Sequence, residues 1–210
     1  GQNVGYIMGA GDEIPINLEQ IGYNVTLLED KDITPANLKK FDAVILGIRA
    51  YNTIDRIKFY QDKLFEYVEQ GGTMIVQYNT GHRLKLPKEK VAPYPMSISR
   101  GRVAVEEAEI RILKPDHHVM NYPNKITPKD FDGWVQERGL YFPDEWDENF
   151  EAILSSNDPN EPALDGGLLV AKYGKGYYVY TGYSWFRELP AGVPGAYRIF
   201  TNMISLGKRP

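Results

Sequence analysis

One stretch limits the possible folds more than any other: Gly71-Gly72-Thr73-Met74-Ile75-Val76-Gln77-Tyr78-Asn79-Thr80-Gly81. Two glycines end a helical pattern, and an apolar run follows without the polar alternation of a half-exposed strand. A strand covered by helices on both faces reads this way. Asn79-Thr80-Gly81 then closes it in a tight turn. Many α/β enzymes carry a nucleophile at such a strand-to-turn junction. Here the position holds Asn79, and the chain of 210 residues has no cysteine.

The surrounding pattern extends the α/β reading. Val4 to Met8 is an apolar run closed by Gly9-Ala10-Gly11. A helix opens at Ile14-Pro15 and stops near Gly22, since proline suits a first helical turn and glycine a stop. Asn24 to Leu28 is a second strand. Thr34 caps a short helix with Pro35 in its first position. Ala43 to Leu46 is a continuous apolar strand. Ile57, Tyr60, Leu64, Tyr67 and Val68 recur at helical spacing between Asp55 and Gln70. This β-α repetition predicts a flavodoxin-like three-layer α/β sandwich with a mostly parallel sheet.

The middle departs from that rhythm. Residues 79–100 predict a long loop, Val103 to Leu113 paired strands, and Pro115 to Asp132 turns with a short helix. Residues 131–150 concentrate Phe131, Trp134, Tyr141, Phe142, Trp146 and Phe150. The expectation is one domain over residues 1–210, with a β/loop insertion at about 79–150 that packs over one end of the sheet. Strands return at Ala152 to Ser155, Gly167 to Tyr173 and Tyr177 to Thr181, and a last helix runs from about Pro194 to Leu206.

A domain of this size buries roughly 70% of its unfolded surface, so neither disulfides nor structural metals are required. The missing cysteines exclude thiolate zinc sites. Twenty-eight acids against twenty-four bases give a net charge of −4 without a basic cluster, so nucleic acid is not an expected partner. No apolar run approaches the ~20 residues of a membrane span. Gly1 stands where an initiator Met would, which predicts an excised or processed segment of a larger protein.

Five places invite chemistry, and each has a bland reading beside it. Gly9-Ala10-Gly11-Asp12-Glu13 lacks the third glycine of a phosphate-binding turn and carries two acids, so helix capping by Asp12 is the better account. At Tyr78 to His82, Asn79 is no nucleophile, although it could hydrogen-bond a polar ligand, and Thr80 would need His82 as a base. Asp116-His117-His118 suggests a metal, but neighbouring residues of an extended chain point apart. Glu137 could act as an acid or base if desolvated, or form a surface pair of little value. Tyr183 to Glu188 follows a strand, where open α/β sheets hold ligands. Arg49, Tyr51 and Asn52 share that geometry. Arg49 is expected to find a carboxylate, with Glu137 and Glu188 as options.

With these residues in view, the chain resembles a class I glutamine-amidotransferase-like domain of the trehalose-utilisation-like branch. The likeness rests on the order of elements, on Phe41-Asp42-Ala43-Val44-Ile45-Leu46-Gly47, on Gly71-Gly72-Thr73 and on Tyr173-Gly174-Lys175-Gly176-Tyr177. Three other stretches are similar to a C-terminal region of some bacterial PIG-L-type (LmbE-like) deacetylases: Val4 to Asp12, Gly133 to Pro143, and Leu189 to Arg198. Working amidotransferases use a Cys at the turn and a His-x-Glu pair after a late strand. Asn79 stands in place of the first, Tyr183 stands roughly where relatives carry a His, and no His-x-Glu occurs. The His-Pro-Asp-Asp zinc motif of the deacetylases is absent too.

The resemblance therefore implies a non-catalytic domain of a larger carbohydrate-active protein. It would bind a sugar-containing ligand, or the adjacent catalytic domain, through Arg49, Tyr51, Asn52, Tyr78, Asn79, Glu137, Tyr183 and Arg187. No cofactor and no metal are expected, and the same likeness favours a periplasmic or extracellular setting. Two rivals are a carbohydrate-active hydrolase or isomerase using Glu137, His82 and Arg49, and a structural or homodimerising module using aromatics near Trp146.

Overall fold

The computed structural model describes residues 2–210. Its elements in chain order are β1 (Asn3–Ile7), α1 (Ile14–Gln20), β2 (Asn24–Leu27), α2 (Pro35–Leu38), β3 (Ala43–Leu46), α3 (Ala50–Thr53), α4 (Ile57–Glu69), β4 (Thr73–Val76), β5 (Met96–Val103) and β6 (Ile110–Ile112). They continue with β7 (Gly139–Trp146), β8 (Phe150–Ala152), β9 (Leu154–Ser156), β10 (Leu168–Tyr173), β11 (Gly176–Thr181), α5 (Trp185–Glu188) and α6 (Pro194–Ile204).

Seven strands form the central sheet in the order β2-β1-β3-β4-β11-β10-β8. The first five run parallel, and β10 and β8 are added antiparallel at one edge. Strand alternation divides the core into two layers. Ala43, Ile45, Ile75 and Val179 face the side of α1 and α6, with Leu18, Ile199 and Phe200 packed beyond them. Val44, Leu46, Met74, Val76, Tyr178 and Tyr180 face the other side, against Ile57, Leu64 and Val68 of α4. Both faces are covered, which is why these strands read as unbroken apolar runs. No helix among the described residues is long and apolar enough to cross a membrane.

Local chemistry explains the parallel half. Thr34 accepts from the Asn37 amide at 3.2 Å and starts α2, as its position before Pro35 predicts. In the first β-α turn Asp12 accepts the Ile14 amide at 2.9 Å, and both of its oxygens accept the Tyr6 hydroxyl. Burial raises the Asp12 pKa, while those hydrogen bonds oppose the rise. Gly9 lies against the Ile48 carbonyl, where a Cβ would have no room. This turn is therefore closed by its own side chains and by the residues that follow β3.

The middle of the chain differs from expectation. Val103 to Leu113 is not a pair of strands: β5 pairs with β7, and β6 pairs with β9, about forty residues further on. The predicted loop over residues 79–100 already becomes β5 at Met96, and β7 occupies a region with no strand predicted from its aromatics. Those aromatics are mostly core: Phe131, Trp134, Phe142 and Phe150 are buried, while Tyr141 and Trp146 are half-buried.

Candidate functional site

Strands β3, β4 and β11 are parallel neighbours, so the residues after them emerge at one edge of the sheet. A third wall comes from Val135 to Tyr141. Gly139 bridges Tyr183, the Leu140 amide donates to the Gly182 carbonyl at 2.9 Å, and the Ser184 amide donates to the Arg138 carbonyl at 2.9 Å. Gly139 is required for this approach, because a Cβ there would lie 2.7 Å from the Tyr183 Cα. Arg138 anchors the wall from beneath. Its buried guanidinium donates to the carbonyls of Ala108 and Phe131, and lies 5.6 Å from the Trp134 ring centre.

Four of the candidate residues are committed to the scaffold. Asn79 is fully buried; its Oδ1 accepts the Tyr51 amide at 2.9 Å and its Nδ2 donates to the Gln77 carbonyl at 3.0 Å. The nucleophile position is thus filled by a clip joining the end of β4 to α3. The Asn52 side chain donates to the carbonyls of Thr80 and His82 and accepts the Thr80 amide, shaping the following turn. The Tyr51 hydroxyl donates to the Val91 carbonyl and accepts from Gln61, and burial raises its pKa. Tyr183 is 1% exposed and shares a 2.9 Å hydrogen bond with Ser156 Oγ, among Trp134, Phe142 and Trp185.

Arg49, Tyr78, Glu137 and Arg187 meet at the mouth. Arg187 Nε donates to Glu137 Oε1 at 2.7 Å, and Ser184 Oγ lies 3.4 Å from the same oxygen. The Tyr78 ring sits 5.6 Å from Phe186 and 6.3 Å from Tyr141, and the Arg187 guanidinium lies 4.8 Å from the Phe186 ring centre. Burial raises the Tyr78 pKa; the charges of Arg49 and Arg187 oppose this, while Tyr141 and Glu137 add to it. Tyr141 and Phe186 are mouth residues that the strand-end argument did not single out. Their signal was available: each is an aromatic residue within a stretch already marked, one after Gly139 and one after Tyr183. His82 is exposed in the turn beyond, and Glu137 bonds to Arg187 and Ser184 rather than to it.

Among the described residues Arg49 has no carboxylate partner, contrary to expectation. Glu137 is held by Arg187, and Glu188 Oε1 accepts the Val135 amide at 2.7 Å. Arg187, on α5, reaches Glu137 at 2.7 Å and occupies that carboxylate. Arg49 Nε is shielded from water and has no hydrogen-bond partner among the described residues. Glu188 is fully buried, its Oε2 has no partner among the described residues, and burial pushes its pKa up to about 7.

Elsewhere, the two adjacent histidines diverge. His117 Nδ1 accepts the Val119 amide, while His118 Nε2 meets the Lys208 carbonyl and its ring stacks on Tyr122. No group of three or more His, Asp or Glu side chains suited to a metal ion occurs among the described residues. A separate cleft of about 320 Å³, lined in part by Leu84, Val91, Tyr94, Met96 and Ile98, lies under the loop that follows β4.

No protein-family model matches the chain, and no curated protein matches it. Solved structures do. A cytoplasmic protein from Salmonella typhimurium superposes with a TM-score of 0.66 at 12% identity, covering 99% of this chain and 100% of that one. A protein described as ThuA-like, from Bacteroides uniformis, gives 0.58 at 13%, covering 98% and 91%. The β-galactosidase of Rahnella sp. R3 gives 0.57 at 14%; all of this chain matches, but only 32% of that enzyme. The fold is ThuA-like, a flavodoxin-like arrangement around a mostly parallel sheet.

Proposed function

We propose that this chain is a non-catalytic ThuA-like domain of a larger carbohydrate-active protein, binding a sugar-containing ligand at the mouth of Arg49, Tyr78, Glu137, Tyr141, Phe186 and Arg187. One contrast carries the reading. The residue at the nucleophile position, Asn79, is sealed in with its amide hydrogen-bonded at both ends, while rings and charged groups around it stay partly open. Half-exposed aromatic faces suit the apolar face of a sugar ring, and Glu137 and Arg187 offer an acceptor and donors for hydroxyls.

The PIG-L-type deacetylase as parent protein is supported by the three stretches similar to such enzymes, two of which meet in the fold. Trp134 Nε1 donates to the Asp130 carbonyl at 3.1 Å, Gly195 packs on that carbonyl, and Arg198 pairs with the Asp130 carboxylate at 2.7 Å, so Gly133 to Pro143 and Leu189 to Arg198 share one anchor. The β-galactosidase match adds a case in which a carbohydrate-active enzyme carries this fold as about a third of its chain. A second reading, a packing surface for a neighbouring domain, is favoured by exposed Ile16, Ile21 and Leu27 around α1 and the edge strand β2. Sedimentation of the domain with its separately expressed parent catalytic domain tests that reading.

The test of sugar binding is thermal unfolding against a panel of neutral mono- and oligosaccharides. A ligand at 100 times its Kd adds about 2.7 kcal/mol, or roughly 5–11 °C for a chain of this size. The shift should shrink in Tyr78→Ala. A flat response across the panel, or an equal shift in the variant, overturns the proposal.

A further inference from the structure

Arg49 combines an unfavourable backbone with a side-chain charge that has no protein partner among the described residues. Its backbone is left-handed, with φ 57° and ψ 24°, a conformation that glycine or asparagine would occupy more cheaply. The backbone itself is held by the Arg49 amide donating to the Tyr78 carbonyl at 2.7 Å and by Thr53 Oγ1 donating to the Arg49 carbonyl at 2.8 Å. Neither bond uses the guanidinium. The residue is half-buried, its Nε is shut off from water, and its guanidinium has neither an ion pair nor a hydrogen bond among the described residues. A guanidinium with one nitrogen shut off from water and its other donors unpaired by protein is a ready docking point for an anion.

The neighbouring charges agree. Arg49 and Arg187 both act on the Tyr78 hydroxyl, and the Glu137 carboxylate that acts on it too is already taken by Arg187. Tyr78, on whose hydroxyl the Arg49 charge acts, packs against Phe186 with ring centres 5.6 Å apart and tilted by 32°, giving an apolar wall at the mouth.

We propose that the ligand is an anionic sugar, whose carboxylate or phosphate oxygens dock on Arg49 while its ring lies against Tyr78 and Phe186. This rests on the sugar-binding reading above and narrows its ligand class. The terminal guanidinium nitrogens supply the donors, in the charge-assisted geometry that favours Arg over a neutral amide.

Calorimetric titration separates the possibilities, using glucose, glucuronate, glucose 6-phosphate and succinate against wild type, Arg49→Gln and Arg49→Lys. An anionic sugar should bind wild type about tenfold or more tightly than glucose, as a charge-assisted hydrogen bond implies, and the preference should weaken with added salt. Arg49→Gln should bring anionic and neutral sugars to the same affinity, while Arg49→Lys keeps part of the difference. Comparison of glucuronate with glucose 6-phosphate tells carboxylate from phosphate. Equal affinities for glucose and both anionic sugars in wild type overturn the charge inference and leave sugar binding standing. Succinate binding that depends on Arg49, without binding of any sugar, does the reverse. If none of the four binds, both fall. Melting curves of the two variants establish that they fold, and the Lys variant reports on charge if the Gln variant does not.

Discussion

Glu188 should make this protein lose stability as pH rises through the physiological range. The carboxyl is fully buried and has one hydrogen bond, from the Val135 amide. Burial is the main cause that lifts its pKa from 4.5 to about 7; Glu137 and Glu106 add to the rise, and the Val135 amide and Arg138 oppose it. The folded state therefore holds its proton where the unfolded chain has released it. Stability from this group is complete below about pH 4.5, declines above it, and is gone once pH has risen through about 7. At about 1.4 kcal/mol per pH unit, that interval is worth roughly 3 kcal/mol, or some 6–12 °C in Tm. Glu188→Gln keeps an oxygen for the Val135 amide and removes the titration. Urea unfolding of both proteins at matched pH values from 4 to 9 isolates the effect, since other titrating groups cancel in the difference. The wild type should lose roughly 3 kcal/mol relative to the variant between the two ends. Parallel stability curves would refute the buried-carboxyl account, and so would a gain by the wild type at high pH.

Two further predictions concern residues placed beneath the mouth. Asn79→Ala leaves the Tyr51 amide and the Gln77 carbonyl unpaired in a dry site, so chemical denaturation should show a loss of about 2–4 kcal/mol; a loss under half a kcal/mol would contradict the clip. Tyr183→Phe removes a single buried hydrogen bond to Ser156, at a cost of about 1 kcal/mol. Sugar affinity should stay at the wild-type value in that variant, and a tenfold drop would return Tyr183 to the binding surface.

The parallel half of the fold was legible because its signals are local. The capping of α2 by Thr34, the helical spacing on α4, and the apolar runs of β3 and β4 are each decided within a few residues of sequence. The insertion was not, because its pairings are remote. Met96 meets Trp146 and Ile110 meets Ser156, with register shifts along β5 that no short window encodes. Proximity in sequence instead suggested that Val103 to Leu113 paired with itself.

The mouth obeys the same distinction at the level of single side chains. Position after a strand marks Asn52 and Arg49 equally, yet only hydrogen-bond accounting in three dimensions separates them. The Asn52 amide is occupied by the turn it holds, with acceptors at 3.1 and 3.2 Å and a donor at 2.8 Å. A buried polar group so satisfied has little left to offer a ligand. Arg49 differs because the partner that sequence proposed for it, Glu137, is captured by Arg187 from a helix whose placement depends on the insertion wall packing against β11. The nonlocal part of the fold thus consumes the carboxylate and leaves the guanidinium over. What the sequence presents as an ion pair becomes, after folding, an unpaired guanidinium near Tyr78.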